Sequence, residues 1–430
     1  MRTVLMLAEH FPPSFAVGGK RPYRFARYLP EHGWRPVVIT GPEPSPERAD
    51  STPHPLPDSV VLQRNLLPGW WPEPKGRPSD GTTAQPTTDR PEQKKSLVKT
   101  VTGQFQLPLN SQAWIQRWML RQIREAVDRW QPEVIFSTSS PYYMLRLGIA
   151  AKKMTGLPVC LDLRDPWSLN FNQLRKPNWT RAVEARLESR YFAAADQVLL
   201  TCEHAAEAYR QLYPGLPEGH IRTIYNSFDP ALAPPRGVHI DPDGPIDLIH
   251  FGNCYGPRKL ATVIRAVARL RDEQCPGAER LRLVNLGRPA QTDLDLLADL
   301  GLQSMLHWEP YVPYAEGITR LAKAPLQLLL AYGGETLYVP AKTFDYFLSG
   351  APILCLSGSS ELRGMVEDTG TGFVAAPDDV AAVCDALRKV LAAAVEGRPA
   401  VTPKGDAVDQ FSAPHTAGLL ARTLEGLTAR

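Results

Sequence analysis

Four stretches of this 430-residue chain set charged side chains beside glycines, at spacings that suit an anion or a sugar. The first runs from His10 to Arg21 and holds Pro12, Pro13, Gly18, Gly19 and Lys20. Paired glycines let a backbone come close to a ligand, and a helix starting there offers unpaired N–H groups to an anion. Lys20 and Arg21 add positive charge. The stretch is not G-x-G-x-x-G, and Thr40 and Gly41 stand where an acidic residue should close the second strand. A dinucleotide fingerprint is therefore absent, which disfavours a dehydrogenase. The alternative is a plain strand–helix turn.

The second stretch, Asp162 to Trp167, puts Asp162, Arg164 and Asp165 at the end of an apolar run. Three charged groups in four residues are costly there unless they pair or contact a ligand. Ligands of doubly wound sheets bind at the carboxyl ends of strands. A strand sends Asp162 and Leu163 to opposite faces, so Asp165, with Arg164 beside it, is the better candidate for touching a sugar. A structural pair of Arg164 with either aspartate is the other reading.

The third stretch, His250 to Lys259, repeats the strand–glycine–helix pattern with Gly252 and Gly256. Pro257 suits a first helical position, and Arg258 and Lys259 would meet phosphate charge at the helix start. Basic residues facing solvent remain possible. In the fourth, from Gly333 to Tyr346, a helix begins near Pro340 and Ala341, with Lys342 in its first turn and Asp345 three residues on. A cation for phosphate and a carboxylate for sugar hydroxyls make a nucleotide clamp. Otherwise Lys342 and Asp345 form a surface pair.

These stretches need strands and helices to hold them. Unalternating apolar runs at 3–8, 36–40, 59–63, 134–137, 159–162, 197–201 and 222–225 predict parallel strands covered on both faces, and 246–251, 281–286, 305–308, 326–330, 352–356 and 372–375 form a second series. Helical patterns at 21–31, 114–129, 143–153, 180–194, 257–271, 314–322, 342–349 and 379–393 alternate with them. The alternation predicts two doubly wound α/β domains. Pro230, Pro234, Pro235, Pro242 and Pro245 mark a linker between the halves. Residues 41–91 hold 12 prolines, and 77–92 are nearly free of apolar residues, which predicts an irregular insertion at about 65–107. Lys94, Lys95 and Lys99 with Leu97, Val98, Val101 and Phe105 suit either a membrane-surface element or an ordinary surface loop.

A net charge of +3 argues against a nucleic-acid binder working by bulk charge. The six cysteines are scattered singly, which excludes a zinc ribbon and fits a reducing compartment. No run of 18 apolar residues exists to make a membrane-spanning helix. The opening run from Thr3 to Ala8 ends in Glu9-His10 without a small-residue cleavage site, and reads as a buried first strand rather than a signal peptide.

In this order over two α/β halves, the four stretches resemble GT-B glycosyltransferases, glycosyltransferase family 4 (group 1) in particular, over nearly the whole chain. The resemblance implies that the loop of Pro12, Pro13, Gly18 and Gly19 approaches a donor diphosphate. Asp162 to Trp167 is similar to a subset acting on cell-surface polysaccharides and glycolipids. Asn226, Ser227 and Asp229 resemble the Asn-Gly-x-Asp that closes the N-terminal domain, with Ser227 in place of glycine. Arg258 and Lys259 fit the family's basic pair, and Pro340, Lys342, Asp345 and Tyr346 fit its Pro-x-Lys-x-x-Glu-Tyr helix. Asp345 stands for the glutamate that binds the donor ribose. Leu337 falls where a partner glutamate would lie, with Glu335 near but out of register.

The expectation is an α/β protein of GT-B fold, two Rossmann-like domains facing across a cleft. Residues 1–230 would form the acceptor-side domain, 231–245 the hinge and 246–430 the donor domain, with the last helix packing back toward the N-terminal domain. The expected activity moves a sugar from a nucleotide-sugar to an acceptor hydroxyl, in polysaccharide, glycolipid or secondary-metabolite biosynthesis. No metal is called for, and no cofactor beyond the nucleotide-sugar substrate. Asp165 and Arg164 are the expected catalytic residues. Gly18, Gly19, Arg258, Lys259, Pro340, Ala341, Lys342 and Asp345 are the expected donor-binding residues. The acceptor would be a carbohydrate, a lipid-linked molecule or a small molecule, and not a nucleic acid. The expected location is cytoplasmic, with peripheral contact at the inner face of the membrane left open. A catalytically weak GT-B scaffold, motivated by Leu337, and a nucleotide-sugar epimerase are the competing readings.

Overall fold

The computed structural model describes residues 1–14, 17–44, 54–67, 111–170, 176–234, 241, 243–256 and 258–429, without the side chains of 17 and 111–114. The insertion expected at 65–107, with the basic–apolar stretch that begins at Lys94, lies outside these residues, apart from 65–67. The described residues fall into two compact units. One takes the chain up to Ser227 together with the segment from Ala413 onward, and the other is Phe228–Ser412.

The first unit is built on strands β1 (Arg2–Ala8), β2 (Trp34–Thr40), β3 (Val61–Gln63), β4 (Val134–Ser139), β5 (Val159–Leu163), β6 (Gln197–Leu200) and β7 (Ile221–Thr223). They pair in parallel in the order β3-β2-β1-β4-β5-β6-β7. Leu5 sits between Val37 and Ile135, so β1 is central, and Val4 to Leu7 have no exposed surface. The helices are α1 (Lys20–Tyr28), α2 (Ser111–Trp130), α3 (Tyr143–Thr155), α4 (Asn178–Ala194) and α5 (Glu203–Leu212). Gly148 lets α3 lie close on the sheet, since a Cβ there would come within 2.8 Å of the Ser137 Cβ.

The last helix of the chain belongs to this unit. Ala417, Leu420, Ala421 and Leu424 are buried in one cluster with Val4, Met6, Phe25 and Leu29. Its Pro414 carbonyl accepts a hydrogen bond from His32 Nε2 at 3.1 Å.

In the second unit β8 (Ile246–Phe251), β9 (Leu281–Leu286), β10 (Leu306–Glu309), β11 (Leu326–Leu330), β12 (Ile353–Leu356) and β13 (Gly372–Ala375) run parallel in the order β10-β9-β8-β11-β12-β13. The interleaved helices are α6 (Ala261–Asp272), α7 (Gln291–Asp299), α8 (Tyr314–Ala322), α9 (Lys342–Ser349), α10 (Ser360–Asp368), α11 (Val380–Val395) and α12 (Gly405–Asp409). The helix that ends the first unit is then α13 (Ala413–Thr428). Gln327, fully buried in central β11, is tolerated because its amide is satisfied. It donates to the Ala351 carbonyl at 2.7 Å and accepts from Ser349 Oγ at 2.9 Å. Both sheets reverse their strand order once, between β1 and β4 and between β8 and β11, which is the doubly wound pattern that opens a ligand crevice at the strands' carboxyl ends.

The helix expected over 257–271 begins at Ala261 instead. Pro257 lies outside the described residues, and Arg258 and Lys259 belong to the loop ahead of the helix.

Candidate functional site

In the second unit the loops that leave β8 and β11 hold the glycines and charged residues of the third and fourth stretches. Gly252 follows β8 at φ 129°, and Lys342 of α9 occupies the space a side chain would take there, with Nζ 2.2 Å from the ideal Cβ position. Gly287, after β9, packs on the Gly252 carbonyl so closely that a Cβ would lie 2.4 Å from its oxygen. The Gly252 N–H donates to the Leu286 carbonyl at 2.7 Å, and the Arg288 N–H to Asn253 Oδ1 at 2.8 Å. The β8 loop is thus held rigid by its neighbour.

Positive charge converges on this loop. Among the described residues Lys342 makes no hydrogen bond and no ion pair. Burial first, and the Arg258 charge second, push its ammonium down to about 8. Arg258 donates from Nη1 to Tyr255 Oη at 2.9 Å, and its guanidinium stands 5.3 Å from the ring centres of both Tyr255 and Tyr332. Its Nε is buried without a partner among the described residues. Beneath them His250, on β8, is fully buried and donates from Nδ1 to the Leu328 carbonyl at 2.8 Å, while its Nε2 has no partner among the described residues. Burial, reinforced by Lys342, pushes this imidazole down to about 3, so it stays neutral and Nε2 is a bare acceptor. No side chain caps α9 at Ala341. Unpaired donors of one sign at a helix start are what an anion satisfies.

One turn into α9, Asp345 Oδ1 accepts from Tyr314 Oη at 2.7 Å. Asp345 is therefore tied to α8 and forms no surface pair with Lys342. Tyr346 accepts from the Phe251 N–H at 3.0 Å and donates to the Leu328 carbonyl at 3.1 Å, which fixes α9 over β8 and β11.

The start of α6 does not offer the anion site that the sequence suggests. The fully buried Asp293 reaches it from α7, and its Oδ2 accepts from the Leu260 N–H at 3.1 Å. A carboxylate of the chain already occupies that helix start. Lys259 is exposed, and its charge acts on Asp293. Glu335 is also engaged, accepting from the Ser360 N–H at the start of α10 at 3.1 Å. Leu337 is half-buried. Gly252, Arg258, Lys342 and Asp345 come together around one loop and one helix. Pro340 and Ala341 precede that helix.

In the first unit the charge pairing differs from either arrangement the sequence offers. Asp162 is fully buried and pairs with Arg21, whose Nη2 donates to Oδ1 at 2.8 Å and whose Nε lies 3.1 Å from both carboxylate oxygens. Thr138 Oγ1 donates to Asp162 Oδ2 at 2.6 Å. Arg21 also donates to the Tyr225 carbonyl at 2.7 Å, so its charge is consumed internally and does not add to the Gly18–Gly19 loop. Arg164 donates from Nε to the Ser139 carbonyl at 2.8 Å. Its guanidinium lies under Gly18, where a Cβ would come within 2.6 Å of it. Gly18 and Arg164 are thus neighbours, while a Cβ on Gly19 would meet the Phe11 backbone at 3.1 Å. Burial lowers the Arg164 guanidinium below its ordinary range.

Asp165 is exposed and accepts no hydrogen bond among the described residues, yet the loop around it is firmly held. The Arg164 carbonyl accepts from Thr201 Oγ1 at 2.7 Å and the Pro166 carbonyl from Tyr142 Oη at 2.7 Å. The Trp167 N–H donates to Tyr209 Oη at 2.8 Å, and its ring stacks between Tyr142 and Tyr191 at 5.3 and 6.1 Å. Glu188, fully buried, accepts from the Ser168 N–H at 2.8 Å, from Ser168 Oγ, and from Tyr209 and Tyr213 hydroxyls at 2.9 and 2.8 Å. Glu188, His250, Asp293, Tyr314 and Tyr346 have roles the sequence reading did not assign. Glu188 shares the buried face of α4 with Thr180, Glu184 and Phe192, and Asp293 that of α7 with Leu297, so neither lies on an apolar stripe long enough to mark it in the sequence.

Residues 82–232, roughly a third of the chain, match the family model described as Glycosyltransferase Family 4. No curated protein sequence matches the chain. Among solved structures, the sucrose-phosphate synthase of Thermosynechococcus elongatus is similar at a TM-score of 0.62 and 16% identity, covering 100% of both chains. HepE of Anabaena, solved in complex with UDP-glucose, is similar at 0.58 and 14% identity, covering 99% of this chain and 100% of its own. A glycosyltransferase of Rickettsia africae ESF-5 gives 0.58 at 11% identity, covering 99% and 98%. The fold is that of GT-B glycosyltransferases, with two Rossmann-like units.

Proposed function

We propose that the protein transfers a sugar from a nucleotide-sugar to an acceptor hydroxyl. The observation that carries this reading is the pair of cations Lys342 and Arg258, without carboxylate partners among the described residues, at the strand-order reversal of the second sheet and beside the start of α9, which no described side chain caps. In this reading they take the donor diphosphate. A leaving diphosphate gains negative charge as the glycosidic bond breaks, and fixed cations stabilise it without solvent reorganisation. No metal and no resident cofactor are needed for that step. Asp345 accepts from the ribose hydroxyls through Oδ2. Asp165 contacts a sugar, with Arg164 held against Gly18, and Gly18 and Gly19 keep their expected role toward the donor diphosphate.

The products belong to polysaccharide, glycolipid or secondary-metabolite biosynthesis in this reading, at a cytoplasmic location. Contact with the inner face of a membrane through residues 94–109 belongs to the same proposal and is checked by vesicle sedimentation. Since the HepE structure holds UDP-glucose, UDP is the first ligand to try, with GDP, dTDP and ADP beside it. A binding nucleotide at 100 times its dissociation constant should stabilise the chain by about 2.7 kcal/mol. Release of nucleotide diphosphate from the matching nucleotide-sugar, dependent on acceptor, tests the transfer itself. A scaffold, the reading that Leu337 favours, binds the nucleotide and releases none. An epimerase alters the sugar without acceptor.

A further inference from the structure

The first unit contains a cavity that the site described above does not use. It measures about 100 Å³ and lies beyond the end of β1, beside the reversal of strand order between β1 and β4. Leu67, Ile115, Met119 and Leu147 form its apolar walls. Glu9, the residue after β1, and Tyr143, the first of α3, supply its polar end, where the Tyr143 hydroxyl donates to Glu9 Oε2. Arg146 and Gln116 also line it and bond to each other.

Glu9 makes no ion pair among the described residues, and its Oε1 accepts no hydrogen bond there. Burial holds its carboxyl above the ordinary range, the Tyr143 hydrogen bond only partly offsetting this. A half-buried carboxylate with a spare oxygen, facing aliphatic walls, is satisfied by a donor brought in from outside. The spare Glu9 oxygen asks for a donor, the Arg146 charge nearby disfavours a cationic one, and a neutral hydroxyl meets both conditions. An apolar cavity of about 150 Å³ holds benzene, so this one, at about 100 Å³ and open to solvent on one side, takes a short alkyl run or most of one ring, the rest lying in its mouth.

We infer that this cavity anchors the acceptor, and that it takes an uncharged hydroxylated ring or short alkyl segment whose hydroxyl donates to Glu9. The word acceptor rests on the glycosyltransferase reading, whereas the ligand chemistry does not. The ring can belong to a free small molecule and the alkyl run to a lipid-linked one.

The test is calorimetry on the full chain with p-cresol, toluene, 4-methylbenzoate and a series of n-alkanols. p-Cresol should bind at least about tenfold more tightly than toluene, as a hydrogen bond to a charged group predicts, and 4-methylbenzoate should not bind. Leu147→Trp, or Met119→Phe if the first variant fails to fold, should abolish p-cresol binding, and Glu9→Leu should erase its advantage over toluene. An affinity gain that stops near pentanol supports the site and points to a small acceptor. A gain continuing to decanol, still lost in Leu147→Trp, supports it and points to a lipid-linked one. Equal binding of p-cresol and toluene, or p-cresol binding that survives Leu147→Trp, overturns the inference. UDP titrated into the same samples separates the two readings. If the nucleotide binds and p-cresol does not, this inference alone fails; if p-cresol binds and no nucleotide diphosphate does, the transferase reading fails and the pocket stands.

Discussion

Gly252 and Lys342 use one space: the lysine ammonium sits 2.2 Å from where a Cβ on the glycine would be, and the glycine holds φ 129°. Gly252→Ala must therefore strain the backbone, at about 1–3 kcal/mol, and push Lys342 aside. The expected outcome is a lower melting temperature together with at least a tenfold loss of nucleotide diphosphate affinity by calorimetry. A variant that melts earlier but binds normally would remove Lys342 from the anion site.

The depressed Lys342 ammonium gives binding a pH dependence. Its folded value is about 8 against an ordinary 10.5, so above pH 8 the free protein loses the charge. A diphosphate favours the charged form. Affinity should fall as pH rises past 8, by up to about tenfold per unit, while the nucleotide's own phosphate titrates near 6 and does not interfere. Between 8 and 10.5 the unfolded chain binds more protons than the folded one, so this group's contribution to stability rises with pH across that window. Lys342→Met should flatten both profiles.

The fold was legible because its strands are buried on both faces and therefore carry unbroken apolar runs, such as Val4 to Leu7 and Leu326 to Leu330. The strand-end glycines and the Pro340 helix start were readable for the same local reasons. The pairing of charges was not. Arg21 and Arg164 are both near Asp162 in the electrostatic sense, but only the position of α1 over the sheet decides that Arg21 takes the carboxylate. Asp293 lies 32 residues beyond Ala261, so no local pattern links it to the helix it caps. Pro257 gave a local start signal for that helix, yet the first turn forms at Ala261, where Asp293 satisfies the Leu260 N–H.

Asp345 and Tyr314 give a test of the ribose contact. Asp345→Asn keeps an acceptor for the Tyr314 hydroxyl but removes charge and turns one oxygen into a donor. Donor nucleotide binding should weaken by about 1.5–3 kcal/mol, with stability nearly unchanged. Tyr314→Phe should cost about 1 kcal/mol of stability and leave most of the binding intact. Normal affinity in Asp345→Asn would take that helix position out of the donor site.

The Arg21–Asp162 pair predicts a stability effect without a donor effect. Both side chains are buried, and Arg21 and Arg24 also hold the carbonyls of Tyr225 and Ser227. Asp162→Leu leaves the Arg21 guanidinium without its carboxylate, which costs about 3–5 kcal/mol. Thermal unfolding should shift down by several degrees. Below the transition, nucleotide binding should stay close to the wild type, because Lys342, Arg258 and Asp345, the proposed diphosphate and ribose contacts, belong to the second unit. A variant as stable as the wild type would mean that Arg21 finds another acceptor.

Glu188 tests whether the rigidity around Asp165 matters for turnover. As an ionised carboxylate it accepts four hydrogen bonds, two of them from Ser168, three residues past Asp165. A glutamine side chain in its place would offer one acceptor oxygen and a donor amide, so at least one of the two tyrosine hydroxyls, or Ser168, must turn or separate. Glu188→Gln should lower stability by about 1–3 kcal/mol and loosen the 164–168 loop. If Asp165 contacts a reacting sugar, a displacement of about 1 Å is enough to lower kcat by 10- to 100-fold. The KM for the donor should stay close to the wild-type value. Asp165→Asn gives the reference: the two changes act through one loop, so the double variant should lose little more than the worse single one. Additive losses in kcat would show that Glu188 works independently of Asp165, and a kcat unchanged in both single variants would leave the loop without a part in the reaction.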